Sequence, residues 1–264
     1  MSHFVVMVVG EDIDDILAPY DESLEVEGYI DRPKNQIHAE FIQHYGKVVA
    51  DNKPKGLLDS FDLLTLELET ENAKWVRDWC GQELDKHGNT ISHYNPDSKW
   101  DWYEVGGRWS GTLILKPGCE GSNGSRSWTN KDDVIPANRC DAAYNKDIDW
   151  FSMNEIAKKH LEKDWDDLFE PNPAYCKYRP EYVEKQRIKH LEMYGTKEKY
   201  LKRRGFWTPF ALVDEDEWYA PGEMGWWGFS SDETEDRDMF DQMFKDYVKM
   251  LNPKDVVTIV DCHI

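Results

Sequence analysis

The apolar and polar positions of the chain fall into a few periodic blocks separated by glycine, proline and acidic stretches. Phe4 to Val9 is a continuous β-branched and apolar run closed by Gly10, which predicts a central strand buried on both faces. Glu11 to Gly28 predicts a loop with a helical turn near Asp14 to Leu17, and Phe41, Ile42 and Tyr45 predict a short helix within Asp31 to Ala50. Leu64, Leu66 and Leu68 alternate with Thr65, Glu67 and Glu69, as in a strand exposed on one side. Trp75, Val76, Trp79 and Leu84 share one stripe of a helix from about Asn72 to Lys86. Trp109 to Leu115 predicts a strand stopped by Pro117-Gly118, and Gly118 to Arg139 an exposed loop.

The second half begins with a helix from Ser152 to Leu168, with Ser152 as N-cap and Glu155 completing a capping box. Ile156, Leu161, Trp165 and Leu168 face inward in that helix. A further helical stretch, Glu181 to Arg204, is interrupted at Gly195-Thr196. Phe206 to Val213 predicts a strand, and Thr234 caps an amphipathic helix carrying Met239, Phe240, Met243, Phe244, Tyr247, Val248 and Leu251. Val256 to Cys262 is a closing strand. The order of the firmest elements is strand, helix, strand, strand, helix, strand. That order predicts an α+β fold, a ferredoxin-like antiparallel sheet sandwich, as one domain over residues 1–264 with a helical insertion at 152–204. A general α+β fold without that topology is the alternative.

Two segments do not fit core packing. The first is Asp101-Trp102-Tyr103-Glu104-Val105-Gly106-Gly107-Arg108-Trp109, and the second runs through Trp218, Tyr219, Glu223, Trp226 and Trp227. Paired glycines permit a positive-φ turn and let a backbone or ligand come close. Arg108 can fork onto a carboxylate or phosphate. The structural alternative is a bulge with Arg108 paired to Asp101 or Glu104, and for the second segment an aromatic core under a loop. As recognition elements, aromatic faces beside an acid suit a nucleobase, a sugar or a basic side chain of a partner. We expect the two segments to lie side by side as one recognition surface.

Composition narrows the chemistry. Lys and Arg number 32 against 52 Asp and Glu, a net charge of −20. Direct attraction to nucleic acid or to an anionic membrane is therefore disfavoured, and a basic or neutral partner is expected. Glu11 to Glu27 holds acids and no bases, and Arg237 is the lone base from Asp214 to Asp238, whereas Lys177 to Arg204 reverses the balance. Five cysteines without a Cys-x-x-Cys spacing argue for a reducing compartment, and a cytoplasmic location is expected. Cys80 and Cys262 are expected as small core residues. The Gly/Ser tract after Gly118 lacks the Lys-Ser/Thr ending of a phosphate-binding loop. His87, His93 and Asp97 match no ligand spacing, so no metal is expected, and no motif implies a cofactor. Glu104, Glu223, Asp101 and His93 could supply acid–base groups, but spacing selects no pair and no catalytic residue is assigned.

Tyr94-Asn95-Pro96-Asp97-Ser98-Lys99-Trp100-Asp101-Trp102-Tyr103, with Gly106-Gly107-Arg108-Trp109, resembles a signature of uncharacterised phage and prophage proteins. Leu17 to Asp21, Lys146 to Asp149 and Gly222 to Trp227 are similar to the same group, and together they span most of the chain. The resemblance implies a phage setting, in which such genes often encode proteins that bind host or defence factors. It implies no activity. The leading expectation is a non-enzymatic phage protein that inhibits a host or anti-phage defence protein, its acidic surface imitating a phosphate backbone. The alternative is a sponge or hydrolase for a small signalling nucleotide, stacking on Trp102, Trp109, Trp226 or Trp227 with Arg108 on phosphate.

Overall fold

A computed structural model describes residues 2–41, 84–124, 134–169, 180–215, 217–225 and 227–264. The chain is mixed α/β, and its residues group into two compact units, Met1–Glu22 with Asp97–Ile264, and Ser23–Pro96. The larger unit carries the first helix, α1 (Ile13–Leu17), where the helical turn is expected, and the smaller unit carries β2 (Tyr29–Arg32), antiparallel to β3 (Thr90–Ser92), and helix α2 (Lys34–Phe41). The strand at Leu64 to Leu68, most of the helix expected from Asn72, and Cys80 lie outside the described residues. The end of that helix is replaced: Leu84 forms a bridge with Thr90, and Asp85 to Asn89 is a tight turn in which the Asp85 carboxylate accepts the main-chain N–H groups of His87 and Asn89 at 2.8 Å.

The larger unit is built on β1 (His3–Val9) and β10 (Val256–His263), paired antiparallel from His3 opposite His263 to Val9 opposite Val257. The neighbour relation expected of the first and last strands is therefore present. On the far side of β1 lies β8 (Ala211–Val213), parallel to it, followed by β9 (Trp218–Tyr219), antiparallel to β8. On the far side of β10 two strands lie end to end: β7 (Ala142–Tyr144) beside Val256 to Thr258, and β4 (Trp102–Val105) beside Val260 to His263. The sheet is mixed. Of the strand expected at Trp109 to Leu115 only Leu113–Ile114 (β5) is extended, and it pairs with β6 (Arg139–Cys140) in a separate two-stranded sheet. The hairpin strand β9, made from the next stretch of chain, takes the place beside β8.

Because side chains alternate along a strand, the central pair supplies two cores. Met7, Val9, Val257 and Ile259 face one side with Leu113, Cys140 and Phe244; Phe4, Val6, Val8, Val260 and Cys262 face the other with Leu17, Trp100 and Val213. This bears out the prediction that the first strand is covered on both faces, and Cys262 is fully buried as expected.

The first core is closed by α6 (Thr234–Met250), whose Phe240, Phe244 and Val248 repeat at helical spacing, while Met239, expected inward, is 66% exposed. Its cap is Glu233 rather than Thr234, and the Asp236 carboxylate accepts the Glu233 N–H at 3.0 Å. Three helices span the interval read as an insertion: α3 (Trp150–Phe169), α4 (Pro180–Tyr194) and α5 (Lys197–Arg204). Asp149, not Ser152, caps α3, accepting the Ser152 N–H at 3.0 Å and its hydroxyl at 2.7 Å. Asp149 precedes a Trp-Phe pair that belongs inside the helix, so an acid one turn earlier wins over the serine. The break at Gly195-Thr196 is present, and the Thr196 hydroxyl caps α5 by accepting from Lys199 N–H at 3.3 Å. Met153 and Trp165 are the buried members of α3; Trp165 stacks on Phe169 at 4.5 Å and meets Tyr200 of α5 at 5.3 Å. These helices pack into the same unit as the sheet.

Phe244 has no exposed surface and packs edge-on against Phe206 and Trp207 at 6.1 Å each. Truncating a fully buried phenyl ring costs about 3–5 kcal/mol. Urea unfolding of Phe244→Ala is expected to show a loss of that size, whereas Met239→Ala on the exposed flank of the same helix changes stability by less than about 0.5 kcal/mol.

Candidate functional site

The Gly106-Gly107 pair sits where β4 and β7 meet along β10. Ile259 bridges the gap: its N–H donates to Asp141 O and its carbonyl accepts from Gly106 N–H, both at 2.8 Å. Both glycines are buried at positive φ, +78° and +50°. A Cβ on Gly106 would lie 2.4 Å from Asp141 Oδ2, and one on Gly107 2.4 Å from Asp261 Cβ. The glycines do permit a close approach, as expected, but the groups that approach are two of the protein's own carboxylates.

Asp141 and Asp261 have no exposed surface. Asp141 accepts from Gly111 N–H at 2.5 Å, Gly124 N–H at 2.9 Å and the Ser110 hydroxyl at 3.1 Å. Asp261 accepts from Arg108 N–H and from His3 Nδ1, each at 2.9 Å. Arg108 is thus tied to the turn through its main chain, and its side chain is exposed. Sequence reasoning missed His3, Asp141, Asp261 and His263. A usable signal was present, since Asp261 and His263 interrupt an otherwise apolar strand, where a charged group survives only if paired.

At the polar end of the sheet Trp102, His263 and His3 lie opposite one another in register across three strands. The Trp102 and His263 rings stack at 4.9 Å, and His3 meets both edge-on. His263 Nδ1 donates to Asp101 Oδ1 at 2.6 Å, as His3 does to Asp261. Each imidazole is oriented by a carboxylate at Nδ1, the arrangement that prepares a histidine for proton transfer at its other nitrogen. His263, however, is 3% exposed beneath Trp102, so the row acts as a lock on the strand ends. Tyr103 points to the opposite face, packs against Trp100 at 5.1 Å and donates its hydroxyl to Asp14. Glu104 and Trp109 are half-buried, Trp109 against the first core. Among the described residues no group of three or more His, Cys, Asp or Glu is placed to hold a metal ion.

The second segment lies at the other edge. Trp218 and Tyr219 are on β9, separated from β4 by β10, β1 and β8. Trp218 is half-buried against Tyr20 at 5.1 Å and Phe4 at 6.4 Å. The expected single surface therefore does not form from the strand residues. The second segment is reached from just before the first: Lys99 Nζ, two residues ahead of Asp101, pairs with Glu223 Oε1 at 3.4 Å. The loop after Gly222 is pinned by Ser2, whose buried hydroxyl donates to Gly225 O at 2.6 Å and accepts from Gly228 N–H at 2.5 Å. Beyond that pin Trp227 is 83% and Phe229 79% exposed; Trp226 lies outside the described residues. Exposed Glu223, Glu233 and Glu235 flank the pair in sequence. The acidity is felt in the second core's rim. Burial raises the Tyr20 hydroxyl pKa and Glu217, Asp214 and Asp97 raise it further, while burial and Asp14 do the same to Tyr103.

Comparison of the chain with protein-family models, with curated proteins and with solved structures finds no match. Among the described residues no helix is long and apolar enough to cross a membrane.

Two measurements test the turn. Gly107→Ala combines left-handed strain with a collision against Asp261 and is expected to lose roughly 2–5 kcal/mol on chemical denaturation. Gly118→Ala, at φ +80° with nothing within 4 Å, loses only about 1–2 kcal/mol. Next to the turn, burial and then Asp141 push the Cys140 thiol up to about 11 from an ordinary 9.0. Between those values the unfolded chain has released a proton that the folded chain still holds. The share of stability due to Cys140, intact below pH 9, is therefore lost towards pH 11 by up to about 1.4 kcal/mol per pH unit; Cys140→Ala removes that share and leaves the part due to Cys262, whose thiol is also raised by burial.

Proposed function

We propose that the chain is a non-enzymatic docking protein that binds a partner with a basic surface through the loop carrying Trp227 and Phe229. The observation that carries this reading is the near-complete exposure of two large aromatic side chains, one residue apart, on a loop whose backbone is held by Ser2. Tryptophan anchors dominate binding energy at protein interfaces, and a pinned loop loses little entropy when it docks. The surrounding sequence supplies the complement: from Asp214 to Asp238 Arg237 is the only base, so a cationic surface is drawn to the loop and an anionic one repelled. The phage-like segments Lys99 to Trp109 and Gly222 to Trp227 support a setting in which the partner is a host or anti-phage defence protein in the host cytoplasm, its basic cleft occupied by an acidic imitation of nucleic acid.

A second reading places a small nucleotide at Trp102 and Arg108. It rests on the 40% exposure of Trp102 at the sheet's polar end and on the exposed side chain of Arg108. Calorimetry with a nucleotide panel, using Arg108→Ala as the control, separates the two readings, because the docking reading expects no heat from any nucleotide at this position. On architecture, we read the β10–β1–β8 order with α6 joining β8 to β10 as a ferredoxin-like core carrying the three helices of 150–204 as an insertion.

The docking reading is tested by capture from host lysate at low and moderate salt with wild type and with Trp227→Ala/Phe229→Ala. The double variant is expected to keep the wild-type melting temperature and to bind the captured protein at least about 30-fold more weakly. Absence of a stoichiometric partner, or a double variant that captures it as well as wild type, overturns the proposal.

A further inference from the structure

The larger unit contains a groove of about 430 Å³ between α3, the β5–β6 pair and the segment that follows α5. Its volume falls within the range of small-molecule sites, about 300–1,000 Å³. Met153, Ile156 and Trp207 form apolar walls, and the charged or titratable side chains that line it are Arg139, Arg204 and His160. None of the lining residues is acidic, in a chain with 52 acids against 32 Lys and Arg.

The two arginines differ. Arg204 Nη1 lies 2.9 Å from Asp241 Oδ2, so its charge is balanced from α6. Arg139 has no carboxylate partner among the described residues; its main-chain N–H donates to Pro136 O, while its guanidinium donates from Nη1 to Gly111 O at 2.9 Å. It stands half-buried on β6, with that bond fixing the direction of the guanidinium. A guanidinium has five N–H donors, so most remain for an acceptor in the groove. An oriented, partly desolvated arginine without a counter-ion beside aromatic and aliphatic walls is the complement of an oxyanion on an apolar body.

We propose that this groove is a binding site for a small organic anion, a carboxylate or phosphate monoester carried on an aromatic ring, with the oxyanion on Arg139 and the ring against Trp207, Met153 and Ile156. The loop of Trp227 and Phe229 contributes no residue to the lining of this groove.

Titration calorimetry, with Trp fluorescence in parallel, tests the proposal on the whole chain with four probes. Phenyl phosphate and adenosine 5′-monophosphate represent phosphate monoesters, indole-3-acetate the carboxylates, and adenosine serves as the uncharged control. At least one anion is expected to bind with a Kd below about 1 mM, and adenosine at least about tenfold more weakly than its monophosphate if a phosphate ester is preferred. Arg139→Gln is expected to weaken the bound anion by about tenfold or more. Ala157→Trp, which narrows the groove from α3 and leaves Arg139 in place, is expected to abolish binding and serves as the second variant should Arg139→Gln fail to fold. A phosphate-only or carboxylate-only response identifies the headgroup. Binding of no anion at about 5 mM, or affinity unchanged in both Arg139→Gln and Ala157→Trp, overturns the proposal.

Discussion

Two carboxylates sealed from water set the geometry on which the larger unit depends. A buried ionised group costs several kcal/mol unless its lone pairs are met. Here they are met by main-chain N–H groups of Arg108, Gly111 and Gly124, by the Ser110 hydroxyl and by the His3 ring. Asp141 stands at the start of β7 and Asp261 within β10, so their shared wrapping by residues 106–111 welds two short strands end to end along one side of β10. Removing one acceptor would strand donors from several segments at once, which makes the turn a cooperative feature rather than a sum of single bonds. The absence of a β-carbon at Gly106 and Gly107 is a packing requirement of the carboxylates, and it explains the motif without a ligand.

That weld also decides what each end of the sheet can do. Toward Val9 and Val257 both faces are dry and apolar. Toward His3 and His263 one face becomes a row of rings and acids, with Trp102 outermost. Directly opposed residues in neighbouring strands share a face and touch, so the stacking of Trp102 on His263 follows from the register alone. The same register sends Tyr103 to the opposite face, where its hydroxyl reaches Asp14 and the neighbouring Trp100 indole donates to Leu17 O at 3.2 Å. A single stretch of four residues, Trp100 to Tyr103, thereby fastens the edge of the sheet on both sides, which accounts for its dense mixture of rings and charges.

The parts of the fold legible in sequence were those with a long period. Phe4 to Val9, Val256 to Cys262 and the stripe of Phe240, Phe244 and Val248 announce themselves because many residues repeat one constraint. Strands of two to four residues, such as Leu113–Ile114 and Trp218–Tyr219, repeat nothing, and their partners are chosen by tertiary contacts. Hence β5 left the main sheet and β9 entered it without a local sign. The candidate site was half legible: the glycine pair was correctly read as a place of close approach, but Asp141 lies in an irregular stretch and only folding brings it there. Trp227 was picked out by composition, whereas Phe229 was not among the candidate residues, since a single phenylalanine two residues beyond it carries no pattern of its own. The Arg139 groove was beyond reach, since its walls come from residues 112–114, 139, 153–161 and 204–208 and no short window contains them.

Charge sets a last constraint on the two proposed sites. A net charge of −20 attracts a basic partner and repels an anion, and at about 0.1 M salt both effects fade beyond roughly 10 Å. An anion held by Arg139 is therefore retained by contact, with a guanidinium fork and apolar walls acting inside that distance, while the field of the whole chain opposes its arrival. A basic protein approaching Trp227 is helped at long range and held at short range by the rings. Added salt then works in opposite directions, slowing the association of the partner and easing the entry of the small anion. Two ligands of opposite sign can share one acidic molecule because one is recruited by its field and the other is held in spite of it.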